Sequence, residues 1–355
     1  MVFVECGDQT NHEKEETTMA LYCGIDLHAT NSVMAVSDEQ DKVVFQKRLP
    51  NELPQILGAL QPYQSELVGC VVESTYNWYW LVDGLMDAGF RVHLAHTGAI
   101  PQYAGIKYTN DETDAQHLAH LLRLGILPEG YIQPKEHRAV RDLLRRRLLL
   151  VRQKTLHHVS LQSLITRYTG QRLSANQIKQ LQAKDMSGHL AEPVVLGGQI
   201  SCLAMHWLED AIAVLEREVA KQLKPCTAYR LLITVPGIGQ ALGSTIVLET
   251  GRIERFPSPG HYASYARCVK TEKLSNGKRK GHGNGKNGNK YLAWAFMEAA
   301  HYAAIWSPPI KRYYQRKQAK SHILVAKKAV ANKLARACYH MLSKQEPFDV
   351  KRAFG

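Results

Sequence analysis

From Leu21 onward, apolar residues fall into short runs of strand length, separated by turn residues. "LYCGID" reads as a buried strand; "SVMAVSD", the turn "EQDK" and "VVFQKRL" complete an antiparallel meander. "LVGCVVES" is a continuous apolar run, apt for a strand covered on both faces. "RVHLAH" is another strand. Between them, "NELPQILGALQPY" and "YNWYWLVDGLMDAGF" repeat apolar positions at helical spacing, and "DETDAQHLAHLLRLGIL" is a helix capped by Thr109 or Asp111. The order β-β-β-α-β-α-β-α over residues 21 to 127 predicts a ribonuclease-H-like mixed sheet within residues 19–135.

The pattern then changes. "EHRAVRDLLRRRLLLVRQKTLHHVSLQSLITRYTG" and "CLAMHWLEDAIAVLEREVAKQLK" predict two long helices in residues 136–225, as an antiparallel pair or a dimerising coiled coil. The stretch between them, with "SGHLAEPVVLGGQI", reads as loop. Residues 226–355 read as a mainly α domain, with "LLITVPGIGQALGSTIVLETG" as helix, hairpin and helix. "YLAWAFMEAAHYAAIW" and "HILVAKKAVANKLARACYHML" are two further amphipathic helices. Residues 1–18 read as a disordered tail.

Charge narrows the partner. Lys and Arg number 45 against 32 Asp and Glu, a net +13. The tail holds five acids and one lysine, so the remainder is near +17, a field suited to nucleic acid. No apolar run reaches the ~20 residues of a membrane span. The seven cysteines are scattered, with no C-x-x-C pair, which argues for reduced thiols in a cytoplasm and against zinc.

Candidate chemistry lies in four acids. Asp26 closes the first strand, Glu73 the fourth, and Asp111 and Asp114 share one face of a helix start. Singly, each is an ordinary cap or strand end. Jointly, on a sheet whose first and fourth strands are neighbours, they converge and repel unless protonated or neutralised by cations. Magnesium suits an all-oxygen site that also receives phosphate, and two such ions roughly 4 Å apart serve phosphoryl transfer. His28 reads as a packing or hydrogen-bonding histidine rather than a ligand.

Three basic features suit a nucleic-acid backbone. Gly237 and Gly239 of "VPGIG" form a hairpin whose amides grip a phosphate, or a plain interhelical turn. Residues 267–290 hold eight basic residues, Lys278, Arg279, Lys280, Lys286 and Lys290 among them, and five glycines; they read as a mobile phosphate-gripping loop. The run Arg145, Arg146, Arg147 with Arg152 covers more than one helix face. Ser275 starts the glycine-rich loop, but spacing alone does not separate it as a nucleophile from Ser244, Ser258 or Ser264.

"GIDLH", "VVES", "TNDETDA", "LLITVPGIGQALGSTIVLE" and "FPSPGHYASYARCV", in this order, resemble the insertion-sequence transposases of family one-hundred-and-ten with an Asp-Glu-Asp-Asp site. The resemblance runs from Met19 to the C-terminus. It implies a RuvC-like domain whose magnesium-binding acids are Asp26, Glu73, Asp111 and Asp114, and a nucleophilic serine at Ser275 that links to a DNA phosphate. It further implies a tetramer of two dimers with acids and serine from different subunits. It also implies a structured noncoding guide RNA pairing with donor and target DNA. The segment "ARCVKTEKLS" lacks a proline that relatives carry before the serine. A water-using junction nuclease and a non-catalytic nucleic-acid binder are the alternatives.

Overall fold

A computed structural model describes residues 19–100, 110–224, 226–271, 273–281 and 287–355. The predicted tail, Thr109 and Lys286 lie outside the described residues. The chain divides into two compact units, Met1–Ile132 and Gln133–Gly355.

The first unit is built on β1 (Leu21–Leu27), β2 (Asn31–Ser37), β3 (Val43–Pro50), β4 (Leu67–Glu73) and β5 (Val92–Ala95), with α1 (Leu53–Leu60), α2 (Tyr79–Asp87) and α3 (Asp111–Arg123). The sheet order is β3-β2-β1-β4-β5. The first three strands are antiparallel, while β1, β4 and β5 run parallel. Alternation along β1 sorts its side chains. Leu21, Cys23, Ile25 and Leu27 join a core with Ile56 and Leu60 of α1 and Leu81 and Leu85 of α2. Gly24 and Asp26 therefore face the other way, toward α3. On that face Val33 and Ala35 pack on Ala115, and Val71 and Ala95 pack on Leu118. A methyl group on Gly24 would sit 1.9 Å from the Ala115 carbonyl oxygen. Glycine here lets the α3 backbone lie directly on β1, which fixes where the start of α3 falls.

The second unit begins with α4 (Lys135–Thr169), α5 (Ala175–Gln180) and α6 (Val195–Leu223). The long helices α4 and α6 run antiparallel within the chain. Leu144 packs with Val219 and Leu223 at one end, and Leu161 and Ile165 pack with Cys202 and Met205 at the other. Between these ends Arg147 meets Glu216 at 2.6 Å and Lys154 meets Glu209 at 2.9 Å. The stretch read as loop up to residue 200 already belongs to α6 from Val195. Its glycines are not breakers; Gly198 leaves room for Leu190 and Met186 against the helix.

The remainder is α7 (Thr227–Leu232), α8 (Gln240–Thr250), α9 (Pro259–Tyr265), β6 (Lys273–Ser275), β7 (Lys278–Gly281), α10 (Lys290–Trp306), α11 (Pro308–Gln318), α12 (Ile323–Lys344) and α13 (Val350–Phe354). Phe296, Ala299 and Ala303 of α10 pack with Val330, Leu334 and Cys338 of α12 and with Ile246 of α8 in one core. The helices α4 and α6 belong to the same compact unit as this core. Part of the glycine-rich basic segment is ordered as a β6–β7 hairpin rather than a loop. Ser275 pairs with Lys278 across Asn276 and Gly277, at φ 50° and 69°. Two positive φ values are what a two-residue hairpin turn requires.

Candidate active site

Asp26 lies on β1, with its side chain 6% exposed. Glu73 is the last residue of β4. The final registered pair of these strands is Ile25 with Val72, so the two acids follow one position later on the same face. Asp111 and Asp114 occupy the first turn of α3, which begins at Asn110 with a reciprocal capping box to Thr113. The close approach at Gly24 brings this turn over the strand ends.

The electrostatics show how tightly the acids gather. Burial, a hydrogen bond with Asp26, and repulsion from Asp26 and Asp114 push the Glu73 carboxyl up to about 7. A bond between two carboxyls needs a shared proton. Burial, with repulsion from Asp26 and Asp111, raises Asp114 as well. Asp111 moves the other way, because Arg48 Nη2 donates to its Oδ2 at 2.6 Å and His28 lies beside it. His28 Nε2 sits 3.2 Å from Asp26 Oδ2 and 3.2 Å from Asp111 Oδ2. One donor atom from each of Asp26, His28 and Asp111 lies within 4.8 Å of the others. This donor set fits a divalent cation: like charges are crowded until one retains a proton, and the oxygens are of the type magnesium accepts.

All four sequence-predicted acids are thus brought together, and two basic neighbours join them. His28 had a readable signal, since it stands two residues beyond Asp26 and shares its face. Arg48 had none without register: Val33 pairs with Asp26 on one side and with Arg48 on the other.

In the second unit Ser275 is exposed at the end of β6. Ser244 is buried and donates to the Gln240 carbonyl at 2.8 Å, and Ser258 caps α9 with its Oγ 2.8 Å from His261 Nδ1. The two stretches flanking the hairpin are fastened to each other. Arg267 donates twice to the Gly288 carbonyl, at 3.0 and 2.7 Å, and the Asn289 amide donates to the Tyr265 carbonyl at 2.6 Å. Asn289 Nδ2 donates to Glu249 at 2.8 Å. Glu249 is 1% exposed. Burial alone would raise its carboxyl, but bonds from Arg145 at 2.7 and 2.9 Å, with Arg141, hold it below the usual range. Arg145 also covers the Tyr291 ring at 4.5 Å.

The predicted phosphate contacts divide. Arg145 and Arg147 are engaged by Glu249 and Glu216, whereas Arg146 and Arg152 are exposed. Gly237, at φ +88°, turns into the fold, where a methyl would meet Ala299 and Ala303 of α10 within 2.5 Å. Gly239 is exposed at the start of α8. Lys278, Lys280 and Lys290 are exposed; Arg279 lies in β7. The helix α11, with Lys311, Arg312, Arg316 and Lys317, was not anticipated as an element; its two prolines cap its first turn rather than interrupt it.

Two transposase family models match parts of this chain. Residues 23–169 match the transposase family DEDD_Tnp_IS110, and residues 229–315 match the transposase IS116/IS110/IS902 family. The "Putative transposase y4qE" of Sinorhizobium fredii is 25% identical over 280 residues, 76% of this chain and 66% of that protein. An IS110 insertion-element protein of Streptomyces coelicolor is 27% identical over 106 residues, 30% of this chain and 26% of that protein. An IS116 insertion-element protein of Streptomyces clavuligerus is 24% identical over 144 residues, 38% of this chain and 36% of that protein.

Proposed function

The chain belongs to the IS110 family of DEDD transposases, and from that premise we propose that it cuts and rejoins DNA strands by phosphoryl transfer. The observation that carries the reading is the convergence of Asp26, Glu73, Asp111 and Asp114 on a mixed sheet of ribonuclease-H-like order. These acids, with His28 beside them, would hold magnesium, which supplies charge neutralisation and Lewis acidity at the scissile phosphate. The residues of the chain do the rest. Arg48 orients Asp111, and Gly24 seats α3 so that its first turn faces the strand ends. Ser275 is the nucleophile: its Oγ bonds to phosphorus, the bond from phosphorus to the departing deoxyribose oxygen breaks, and the serine proton leaves to a base. Lys278 and Lys280 beside it offer phosphate contacts. A structured noncoding RNA, paired with donor and target DNA, selects the sites, and DNA as substrate puts the protein in the cytoplasm. No helix among the described residues is long and apolar enough to cross a membrane. Protein carrying its RNA should recombine donor and target plasmids with magnesium and give no product with chelator. Recombination undiminished by chelator, or by complete removal of RNA, would end this reading.

The enzyme also works as a multimer, with acids of one copy serving the serine of another. Leu196, Ile200, Leu203, Trp207 and Val214 stand outward on α6, each more than half exposed. They follow one another at intervals of four, three, four and seven residues. That three-four spacing is the seam of a coiled coil lacking its partner helix, and a second copy fits it. Leu203→Asp with Trp207→Asp should shift the molar mass, measured by light scattering, from a multiple of the chain to a smaller species. An unchanged mass refutes the seam.

A further inference from the structure

Two adjoining grooves lie on the surface from which the serine-bearing segment departs. The first, about 390 Å³, is lined by Ile305, Tyr314, Ile323 and Leu324 with Lys311 and Lys327. The second, about 610 Å³, shares Leu324 and adds Val325, Lys328 and the Val269–Thr271 stretch. Ile323, Leu324 and Val325 are consecutive and each at least half exposed at the start of α12. Among the described residues, neither groove is lined by a carboxylate.

We propose that these grooves, with Tyr314 and Tyr313 in their walls, bind unpaired DNA nucleotides flanking the phosphate attacked by Ser275. The proposal rests on Ser275 being the nucleophile.

Three features select this occupant. First, apolar and aromatic walls with lysines at the rim match a base, which has an apolar face, joined to a phosphate, which is anionic. Within a duplex both faces of a base are already stacked, so a base freed from its pair offers its faces to an aromatic ring. Second, the charge excludes a second copy of the same surface, since lysine would face lysine with no acid in the linings to answer it. Third, the groove wall lies close along the chain to the serine. Thr271 lines the second groove, and Ser275 is four residues on, at most about 14 Å along an extended chain. That reach is about four stacked nucleotides. A strand with one phosphate at Ser275 would therefore lay its neighbours in the grooves.

The test is binding of the full chain to labelled short oligonucleotides at physiological salt, read by fluorescence anisotropy. The probes are single-stranded DNA, single-stranded RNA and blunt duplex DNA. Leu324→Ala and the double change with Tyr314→Leu should weaken single-stranded DNA binding roughly tenfold or more, with duplex binding unchanged. Leu324 is 60% exposed, so the single variant folds even where the double does not. Binding of single-stranded DNA as tight as wild type overturns the proposal. So does a loss confined to RNA, or a change in molar mass with binding intact, which would mark a protein contact. The same measurements on Ser275→Ala separate the two claims. If that variant still cleaves DNA, the serine assignment fails whatever the anisotropy shows. If it is inactive and Leu324→Ala binds normally, the grooves alone are refuted.

Discussion

Asp26→Asn should lower DNA strand cleavage by on the order of 10³-fold, because the central oxygen donor of the acid cluster becomes a neutral amide. The same change should make the metal-free protein more resistant to heat. Asp26 is almost wholly buried, and its charge repels Glu73 and Asp114. A residue kept for function against stability shows this opposition, whereas a purely structural aspartate would lower both. The pH dependence carries the same signature. Glu73 keeps its proton in the folded chain up to about 7, while in the unfolded chain it releases it near 4.5. The folded state then binds more protons between these values, so stability falls as pH rises from about 4.5 through about 7. Melting curves in chelator should show that decline in the wild type and a shallower one in Asp26→Asn. Lower stability of Asp26→Asn across the whole range, with cleavage preserved, would show a structural role instead.

Ser275→Ala should abolish formation of the covalent protein–DNA species and reduce strand cleavage and joining by on the order of 10⁴-fold. The side chain is exposed at the end of β6, and its backbone pairs with Lys278, so removing one hydroxyl leaves the hairpin intact. Metal binding and overall stability should be unaffected. Denatured reaction mixtures should contain DNA-linked protein for the wild type and none for the variant. Undiminished cleavage by Ser275→Ala would assign the attack to water and make the protein a nuclease rather than a strand-exchanging enzyme.

Much of the first unit was legible because each strand carries its own signal. The short apolar runs of β1 and β2 with a turn after them, the long apolar run of β4 and the acidic start of α3 set out the order, and the order implied the acids' convergence. What remained hidden depends on register. Arg48 joins the site only because Val33 lies between it and Asp26 across three strands. His28 shares the face of Asp26 by parity, and its Nε2 lies 3.2 Å from both Asp26 and Asp111, as a hydrogen-bonding histidine would. In the second unit Asn276-Gly277 was a strong hairpin signal, masked by the other glycines around it. The buried Glu249 could not be found from sequence, because its cations come from α4, more than a hundred residues earlier.

The most direct test is calorimetric titration of magnesium or manganese into the full-length protein and its variants. Saturable binding by the wild type, lost in Asp26→Asn and retained in Ser275→Ala, is the predicted result. No binding by the wild type, or equal affinity in Asp26→Asn, would mean that the four carboxylates do not gather to hold a cation.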